Sequence, residues 1–265
     1  MSELKFIPFE EEADYRKERV TGYWTKRADS FLIQRQHELN SPKAAKWLKE
    51  ITAQLEKVRS ADGKPLKILD IGCGTGYFPV LLGKAGYEVT GIDLTEEMIV
   101  KAKELVEENA PYPQKVEILQ MDAEKPEFET ESFDAIVTRN LTWTLPHPIE
   151  AYREWSRVLK CGGVLMNFDA EYAKGAHNLK SEDNLAHKDI SDAMKDECHN
   201  IYHMLTISAL DRPAWDEEIL KSIGFSEVSS DTGFADRMFS EKDEFYIPDK
   251  MFMISAVKCP SSKNN

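Results

Sequence analysis

The chain has 265 residues and a formal net charge of −13, with 42% hydrophobic and 31% charged residues. This length suits one α/β domain that carries additional helices, and the composition is typical of a soluble globular protein. A surface of that charge repels a phosphate backbone, and no run of lysines and arginines with interleaved aromatic residues opposes it, so we expect no nucleic-acid partner. No apolar run approaches the roughly 18 residues of a membrane span, so we expect no membrane partner.

The cysteines are scattered along the chain and form neither a Cys-x-x-Cys pair nor a zinc-binding spacing. They are Cys73, Cys161, Cys198 and Cys259. Residues 1–12 are acidic and lack the apolar stretch of a signal peptide. We therefore expect a reduced, cytoplasmic setting and no bound metal. The expected assembly is a monomer or a homodimer.

Residues 1–64 are predicted to form an N-terminal helical cap. A first helix is predicted over residues 25–39. Ser41 and Pro42 then form an N-cap followed by proline in the first turn, which predicts a second helix over residues 43–59. A turn-rich joint follows, just before the first strand.

Residues 65–170 alternate short apolar runs with helical patterns, which predicts a parallel sheet with right-handed crossovers. The predicted strands are 66–71, 87–92, 115–120, 133–138 and 163–168, and the predicted helices are 76–85, 95–109 and 148–159.

The alternation stops after residue 170. Residues 171–212 are polar and histidine-rich, and they are predicted to form a helical insert that covers an acceptor pocket. Residues 213–259 return to the same α/β domain, with a helix over 213–223 and strands over 225–229 and 250–258. The tail, residues 260–265, is predicted to be disordered.

The most informative stretch is a glycine-rich turn between the first strand and the first helix of the core. Glycines stand at Gly72, Gly74 and Gly76, and Asp70 precedes them. Glycine allows a ligand to approach the backbone closely. The dinucleotide-binding fingerprint would need a glycine or alanine where this chain has Tyr77. The Gly-Lys-Ser/Thr of a Walker loop is also absent. A carboxylate before the turn repels a pyrophosphate and suits a ligand with an amino group.

A second acid, Asp93, ends the second predicted strand. An acid there is placed to accept hydrogen bonds from the hydroxyls of a ribose. An amino group together with a ribose describes S-adenosylmethionine (SAM) better than a nicotinamide dinucleotide.

Five segments in chain order resemble the motifs of the class I SAM-dependent methyltransferases. They are residues 67–76, Gly91-Ile-Asp-Leu-Thr-Glu-Glu-Met98, Gln120-Met-Asp-Ala-Glu124, Phe133-Asp-Ala-Ile-Val-Thr-Arg-Asn140 and Trp155-Ser-Arg-Val-Leu-Lys-Cys-Gly-Gly-Val-Leu165. The last departs from the family at Cys161, where proline is usual. The resemblance covers roughly residues 65–170 and implies a Rossmann-like seven-stranded α/β sheet with helices on both faces. In this chain the N-terminal helical cap and the helical insert after the fifth strand are added to that fold.

The resemblance also implies SAM as the cofactor and assigns residues to it. The glycine turn supplies Asp70, Gly72, Cys73, Gly74 and Gly76, and Asp70 binds the amino group. Asp93 binds the ribose, although it is also placed to cap the next helix. The adenine lies between Leu94 and Met98, with Asp122 and Ala123 at its edge, and Asn140 and Leu141 contact the methionine part.

The segment Tyr23-Trp24-Thr-Lys-Arg-Ala28 resembles a signature that lies just before the core in many of these enzymes. The resemblance implies that Tyr15, Tyr23, Trp24 and Arg27 close the site or hold the methionine carboxylate. The alternative for Trp24 is packing against the edge of the sheet.

Three residues are candidates for the methyl-transfer site. Trp143 either forms a wall of that site or packs under its loop. His199 and His203 stand four residues apart on a predicted helix and so share one face. We interpret them as acceptor-binding groups or a general base that points inward, in preference to metal ligands. His177 and His187 are interpreted as surface residues.

The leading hypothesis is a methyltransferase that acts on a small-molecule acceptor. The alternatives are a protein or RNA methyltransferase and a non-catalytic protein that binds SAM or S-adenosylhomocysteine. The acidic charge disfavours RNA, and intact cofactor motifs report binding rather than reaction.

Overall fold

The computed structural model describes residues 9–58, 64–109, 115–175, 179–180 and 182–258. His177, Cys259, most of the turn-rich joint before the first strand and the predicted tail lie outside the described residues.

Two helices precede the sheet. α1 spans Phe9–Leu39 and α2 spans Pro42–Leu55. Ser41 caps α2, since its side chain accepts a hydrogen bond from the backbone N–H of Lys43. The start of α2 is as predicted, whereas α1 begins well before residue 25. α1 packs mainly against other helices, above all α4 and α6.

The core then follows the predicted alternation closely. Its elements are β1 (Lys67–Ile71), α3 (Tyr77–Lys84), β2 (Glu88–Asp93), α4 (Glu96–Asn109), β3 (Val116–Gln120), β4 (Phe133–Arg139), α5 (Pro148–Val158) and β5 (Leu159–Asp169). The insert contributes α6 (Asp192–Met204), and the C-terminal part contributes α7 (Ala214–Ser222), β6 (Phe225–Asp231), α8 (Phe234–Met238) and β7 (Phe252–Lys258). The sequence patterns did not predict α8.

The strands form one seven-stranded sheet in the order β3-β2-β1-β4-β5-β7-β6. β1 to β5 are parallel, and β7 pairs antiparallel with both β5 and β6. The predicted α/β fold is therefore confirmed. The chain leaves β1 towards β2 and β3 on one side and returns to β4 on the other, which creates the crevice where ligands bind in open α/β sheets.

Helices cover both faces of the sheet. On one face Trp47 of α2 is completely buried, and its ring lies 5.3 Å from that of Phe78 and 5.1 Å from that of Phe168. On the other face Tyr152 and Trp155 of α5 are completely buried. Alternate residues of each strand face opposite sides of the sheet. The helices packed on the two faces therefore both hold the strand ends in place at the crevice.

Within the described ranges, no helix is long and apolar enough to cross a bilayer. The same residues contain no group of three or more histidine, cysteine, aspartate or glutamate side chains that could hold a metal ion.

Candidate functional site

The glycine turn brings bare backbone to the crevice between β1 and β4. Gly72 and Gly74 have φ values of +70° and +53°. A Cβ atom on Gly72 would lie 2.8 Å from Leu141 Cδ1, and one on Gly74 would lie 3.2 Å from Phe31 Cε1. The narrow space and the positive φ angles both require glycine at these two positions.

The third glycine has a different function. A Cβ atom on Gly76 would lie 3.1 Å from the backbone of Ala102 on α4, and Gly76 lines none of the described cavities. The structure therefore does not bring Gly76 to the first cavity with Gly72 and Gly74. Its small size allows α3 and α4 to pack closely.

A first cavity of about 790 Å³, open to solvent on one side, lies across the carboxyl ends of β1, β2 and β4. Most of the residues that were predicted to bind the cofactor line this cavity. Those lining it are Gly72, Gly74, Asp93, Leu94, Met98, Asp122, Ala123, Asn140 and Leu141.

Asp93 connects the glycine turn to the start of α4. Its Oδ2 accepts a hydrogen bond from the Gly74 N–H at 3.0 Å, and its Oδ1 accepts one from the Thr95 N–H at 2.9 Å. Burial raises the pKa of Asp93, while these backbone donors oppose the rise. Each carboxylate oxygen can accept a further bond, so capping the helix and binding a diol are compatible.

One face of α1 lines the opposite wall of the first cavity, and of its residues sequence analysis singled out only Trp24. It carries Lys17, Val20, Thr21 and Trp24 of α1. Their spacing of three, one and three residues is that of one helical face. This spacing was the sequence signal that could have identified the wall. Lys17 Nζ lies 2.7 Å from Asp122 Oδ2 and 2.6 Å from Glu124 Oε2. Asp122, the residue predicted for the adenine edge, is thus already engaged by a cation.

A recess of about 370 Å³ adjoins the glycine turn on the other side and is lined by Asp70, Cys73, Arg35 and Arg139. Asp70 Oδ2 is buried and has no hydrogen-bond partner. Burial and the charge of Asp93 raise the pKa of Asp70, although Arg139 opposes the rise. Asp70 and Cys73, both predicted to bind the cofactor, therefore lie in the recess beside the first cavity, where Asp70 has an acceptor oxygen available for a ligand.

The two arginines of the recess share one carboxylate. Arg139 donates to both oxygens of Glu38, each at 3.1 Å, and Arg35 pairs with the same side chain. Burial alone would raise the pKa of Glu38, but Arg139 and Arg35 lower it to about 2. Two guanidinium groups facing one carboxylate leave room for a second anion. No motif identified Arg35 or Arg139, because only the fold brings α1 and the end of β4 together.

The donor set fits the cofactor that the motifs imply. An unpartnered carboxylate and two guanidinium groups suit the ammonium and carboxylate of an amino acid, and Asp93 suits a ribose. Leu94 and Met98 provide apolar area for a base.

A second cavity, which we call the second chamber, has a volume of about 630 Å³, is open to solvent like the first, and adjoins it. Trp24, Phe31, Arg139 and Asn140 line both cavities. The second chamber also contains Tyr23 and Trp143, as well as His187, Cys198 and Tyr202. Trp143 is 7% exposed and contacts the rings of Tyr172 and Tyr202. Trp143 thus lines the second chamber and also packs against its neighbouring rings, which leaves both interpretations of this residue open.

The structure does not bring two residues predicted for the N-terminal segment to the first cavity or the recess. Tyr15 is 52% exposed, and Arg19 Cζ lies 5.9 Å from its ring, so it closes neither cavity. Arg27 is buried, but it lines neither the first cavity nor the recess. Tyr15 and Arg27 lie on different faces of α1 from Lys17 and Arg35, which do line these cavities. Tyr23 lies in the second chamber rather than at the cofactor.

The prediction for the histidine pair is also wrong. His199 and His203 lie on the exposed face of α6, with their Nε2 atoms 3.1 Å apart. The inward face of that helix carries Cys198, Ile201 and Tyr202 instead. Apolar burial decided the rotation of α6, and the histidines were left in solvent. His187, interpreted as a surface residue, is the histidine that lines the second chamber.

Comparisons with known proteins agree with this geometry. Residues 69–167 match the family described as "Methyltransferase domain". A phosphatidylethanolamine N-methyltransferase of Cereibacter sphaeroides is 39% identical over 100 residues, which is 38% of this chain and 48% of that protein. A demethylmenaquinone methyltransferase of Staphylococcus aureus is 36% identical over 106 residues, which is 39% of this chain and 42% of that protein.

The chain thus spans about half the length of the curated relatives that it matches. Among solved structures, phosphoethanolamine N-methyltransferase 2 of Haemonchus contortus in complex with S-adenosyl-L-methionine aligns with a TM-score of 0.55 at 19% identity. The alignment covers 80% of this chain and 53% of that one. At this identity the likeness concerns the fold.

Proposed function

We propose that this chain, whose core is a class I SAM-dependent methyltransferase domain, transfers a methyl group to a small-molecule acceptor. The observation that carries the proposal is the meeting of two cavities. The first cavity is lined by the residues of the cofactor motifs, and the second chamber adjoins it at Trp24, Phe31, Arg139 and Asn140. Two partners in a transfer reaction need such adjacent sites.

Bound SAM supplies an activated methyl group on a sulfonium. In this proposal the chain's residues bind and orient it. Asp93 accepts hydrogen bonds from the ribose hydroxyls, Asp70 accepts from the ammonium group, and Arg35 with Arg139 binds the carboxylate. Leu94 and Met98 cover the faces of the adenine. Asp122 reaches the edge of the adenine with Lys17 as its second partner.

The recessed lining of the second chamber favours a small acceptor over a macromolecule. Its lining residues are mostly buried, including Tyr23, Trp143, Tyr172, Cys198 and Tyr202. A macromolecule would have to insert an extended side chain or a flipped-out base, whereas a small molecule enters such a site whole. The names of the two curated relatives refer to phosphatidylethanolamine and demethylmenaquinone, which also supports an acceptor that is not a macromolecule.

The first experiment measures binding of SAM, S-adenosylhomocysteine and NAD to the purified chain by calorimetry. We expect the first two to bind and NAD not to bind. Binding of NAD alone would show that the proposal is wrong.

The second experiment incubates the chain with a metabolite extract and methyl-labelled SAM, and mass spectrometry detects labelled products. Ala186→Trp would fill the second chamber, which Ala186 lines without lining the first cavity. This variant should bind SAM and lose methyl transfer. Ala193→Trp, on the exposed side of α6, is the matched control. SAM binding without transfer in any extract would favour the non-catalytic alternative.

A further inference from the structure

The recess beside the glycine turn is surrounded by polar groups that lack partners. Among the residues that the structure describes, three that line it carry a buried atom without a hydrogen-bond partner. These atoms are Asp70 Oδ2, the hydroxyl oxygen of Tyr77 and Nε of Arg139. A buried polar group without a partner destabilises a folded chain, and such groups are rare. Three of them around one recess indicate a place where a bound ligand supplies the partners.

Tyr77 is the least expected of the three. It is the first residue of α3, directly after the glycine turn, and it is only 4% exposed. The centroid of its ring lies 5.5 Å from Arg139 Cζ and 5.9 Å from Arg35 Cζ, so the ring adjoins both guanidinium groups of the recess. Burial raises the pKa of Tyr77, and the charge of Glu38 contributes to the rise. The hydroxyl therefore keeps its proton and is a hydrogen-bond donor.

Arg139 is held in place by contacts that leave one donor unused. Its Nη1 and Nη2 each donate to Glu38 at 3.1 Å, and its Cζ lies 4.2 Å from the centroid of the Trp47 ring. The N–H on Nε is buried and has no partner among the described residues. The recess thus offers two donors, from Tyr77 and Arg139, and one acceptor, from Asp70. Two donors and one acceptor match the carboxylate and the ammonium group of an amino acid.

We propose that Tyr77 is a specificity-determining residue for the cofactor, and that its hydroxyl, together with Nε of Arg139, donates to the carboxylate of SAM. The inference rests on the proposed function. It adds the side chain by which the site selects a nucleoside that carries an amino-acid carboxylate over one that lacks it.

The selection follows from the cost of leaving buried donors unpaired. A ligand with a carboxylate supplies an acceptor to both Tyr77 and Arg139, whereas a ligand without it leaves both donors buried and unpaired. A site that is built to hydrogen-bond one group of its ligand rejects the analogue without that group for this reason.

The test measures three ligands against the full chain by calorimetry. S-adenosylhomocysteine has both the carboxylate and the amino group, its decarboxylated analogue keeps only the amino group, and 5′-methylthioadenosine has neither. Tyr77→Phe removes the hydroxyl and keeps the ring. It should weaken S-adenosylhomocysteine binding by roughly tenfold and leave the binding of both analogues unchanged. Unchanged affinity for S-adenosylhomocysteine, or equal weakening of all three ligands, would overturn the inference.

The stability of the free chain separates this role from a structural one. Because the hydroxyl has no partner, Tyr77→Phe without ligand should resist denaturant at least as well as the wild type. A loss of stability would show that the hydroxyl serves the fold, and would count against the inference. Tyr87→Phe, at a half-buried tyrosine just before β2, removes the same atom at the opposite end of the sheet. This matched control should bind all three ligands like the wild type.

The wild type distinguishes the two levels of the argument. Failure of the wild type to bind S-adenosylhomocysteine would count against the proposed function itself. Binding by the wild type that Tyr77→Phe does not weaken counts only against the role of Tyr77.

Discussion

Lys17 on α1 lies 2.7 Å from Asp122 in the loop after β3, and the same ammonium group lies 2.6 Å from Glu124. This contact ties the helix that precedes the sheet to the edge of the first cavity. Glu124 is itself fixed by the His147 N–H, which donates to its Oε1 at 2.5 Å. The first cavity therefore lies under a helix held by charge, in addition to the apolar contacts of Val20 and Trp24.

The first prediction concerns the mobility of α1. Partly exposed ion pairs contribute only about 0–1 kcal/mol, so α1 should open locally without ligand and become protected when the cofactor fills the cavity below it. Hydrogen exchange of residues 15–24, with and without S-adenosylhomocysteine, measures this. Lys17→Met should speed exchange in the free chain, whereas Lys26→Met, at an exposed lysine of the same helix, should not. Equal exchange rates in both states of the wild type would mean that α1 is a fixed part of the scaffold.

The second prediction concerns Asp93. Asp93→Ala removes the acceptor for the Gly74 and Thr95 N–H groups together with the proposed ribose contacts, so S-adenosylhomocysteine should bind more weakly by about 1–3 kcal/mol. Calorimetry on the folded variant measures the loss. Asp236→Ala, at an exposed carboxylate of α8 whose side chain is 68% exposed, should bind like the wild type. Unchanged affinity in Asp93→Ala would remove Asp93 from the cofactor site.

The third prediction concerns Glu38. Its pKa is lowered from its ordinary value of 4.5 to about 2, so its charge stabilises the fold above about pH 4.5 and that contribution is lost as the pH falls towards 2. The contribution at neutral pH is about 3 kcal/mol. Glu38→Gln leaves Arg35 and Arg139 without their carboxylate and should cost about 3–5 kcal/mol at neutral pH.

The measurement for Glu38 is the free energy of unfolding by denaturant between pH 7 and acid. The difference between wild type and Glu38→Gln should shrink as the pH falls below about 4.5. Comparing the two proteins isolates Glu38 from Asp70, Asp93 and Asp169, whose pKa values are raised and which act in the opposite sense. Glu244→Gln, at an exposed carboxylate paired with His37, is the control. A constant difference across this range would contradict the assignment.

The fourth prediction concerns the two histidines of α6. Because His199 and His203 are exposed and bond to each other, replacing both with alanine should change neither cofactor affinity nor methyl transfer to any acceptor found. A chelator should likewise have no effect. If the chelator abolished methyl transfer and added zinc restored it, the outward orientation of these two histidines would not be the functional one.

The local pattern of the sequence was sufficient for most of the sheet. Strand positions, the glycine turn and the acids at the strand ends follow from the period of apolar residues and the steric freedom of glycine, which are properties of neighbouring residues. The structure brings Asp93, Leu94 and Met98, which the motifs predicted to bind the cofactor, to one cavity. It does not bring Gly76 there, because a glycine with positive φ allows close packing of a neighbouring helix as readily as the approach of a ligand.

Only the tertiary structure decided which side chains complete the two cavities. Arg35, Glu38 and Arg139 come from α1 and β4, and their pairing depends on how a helix lies across a sheet rather than on any spacing. The same holds for the choice of His187 over His199 and His203, since burial of Cys198, Ile201 and Tyr202 fixed the rotation of α6. A sequence states the chemistry of each residue and its local conformation. Contacts between residues far apart in the chain arise when packing selects one face of each element to be buried.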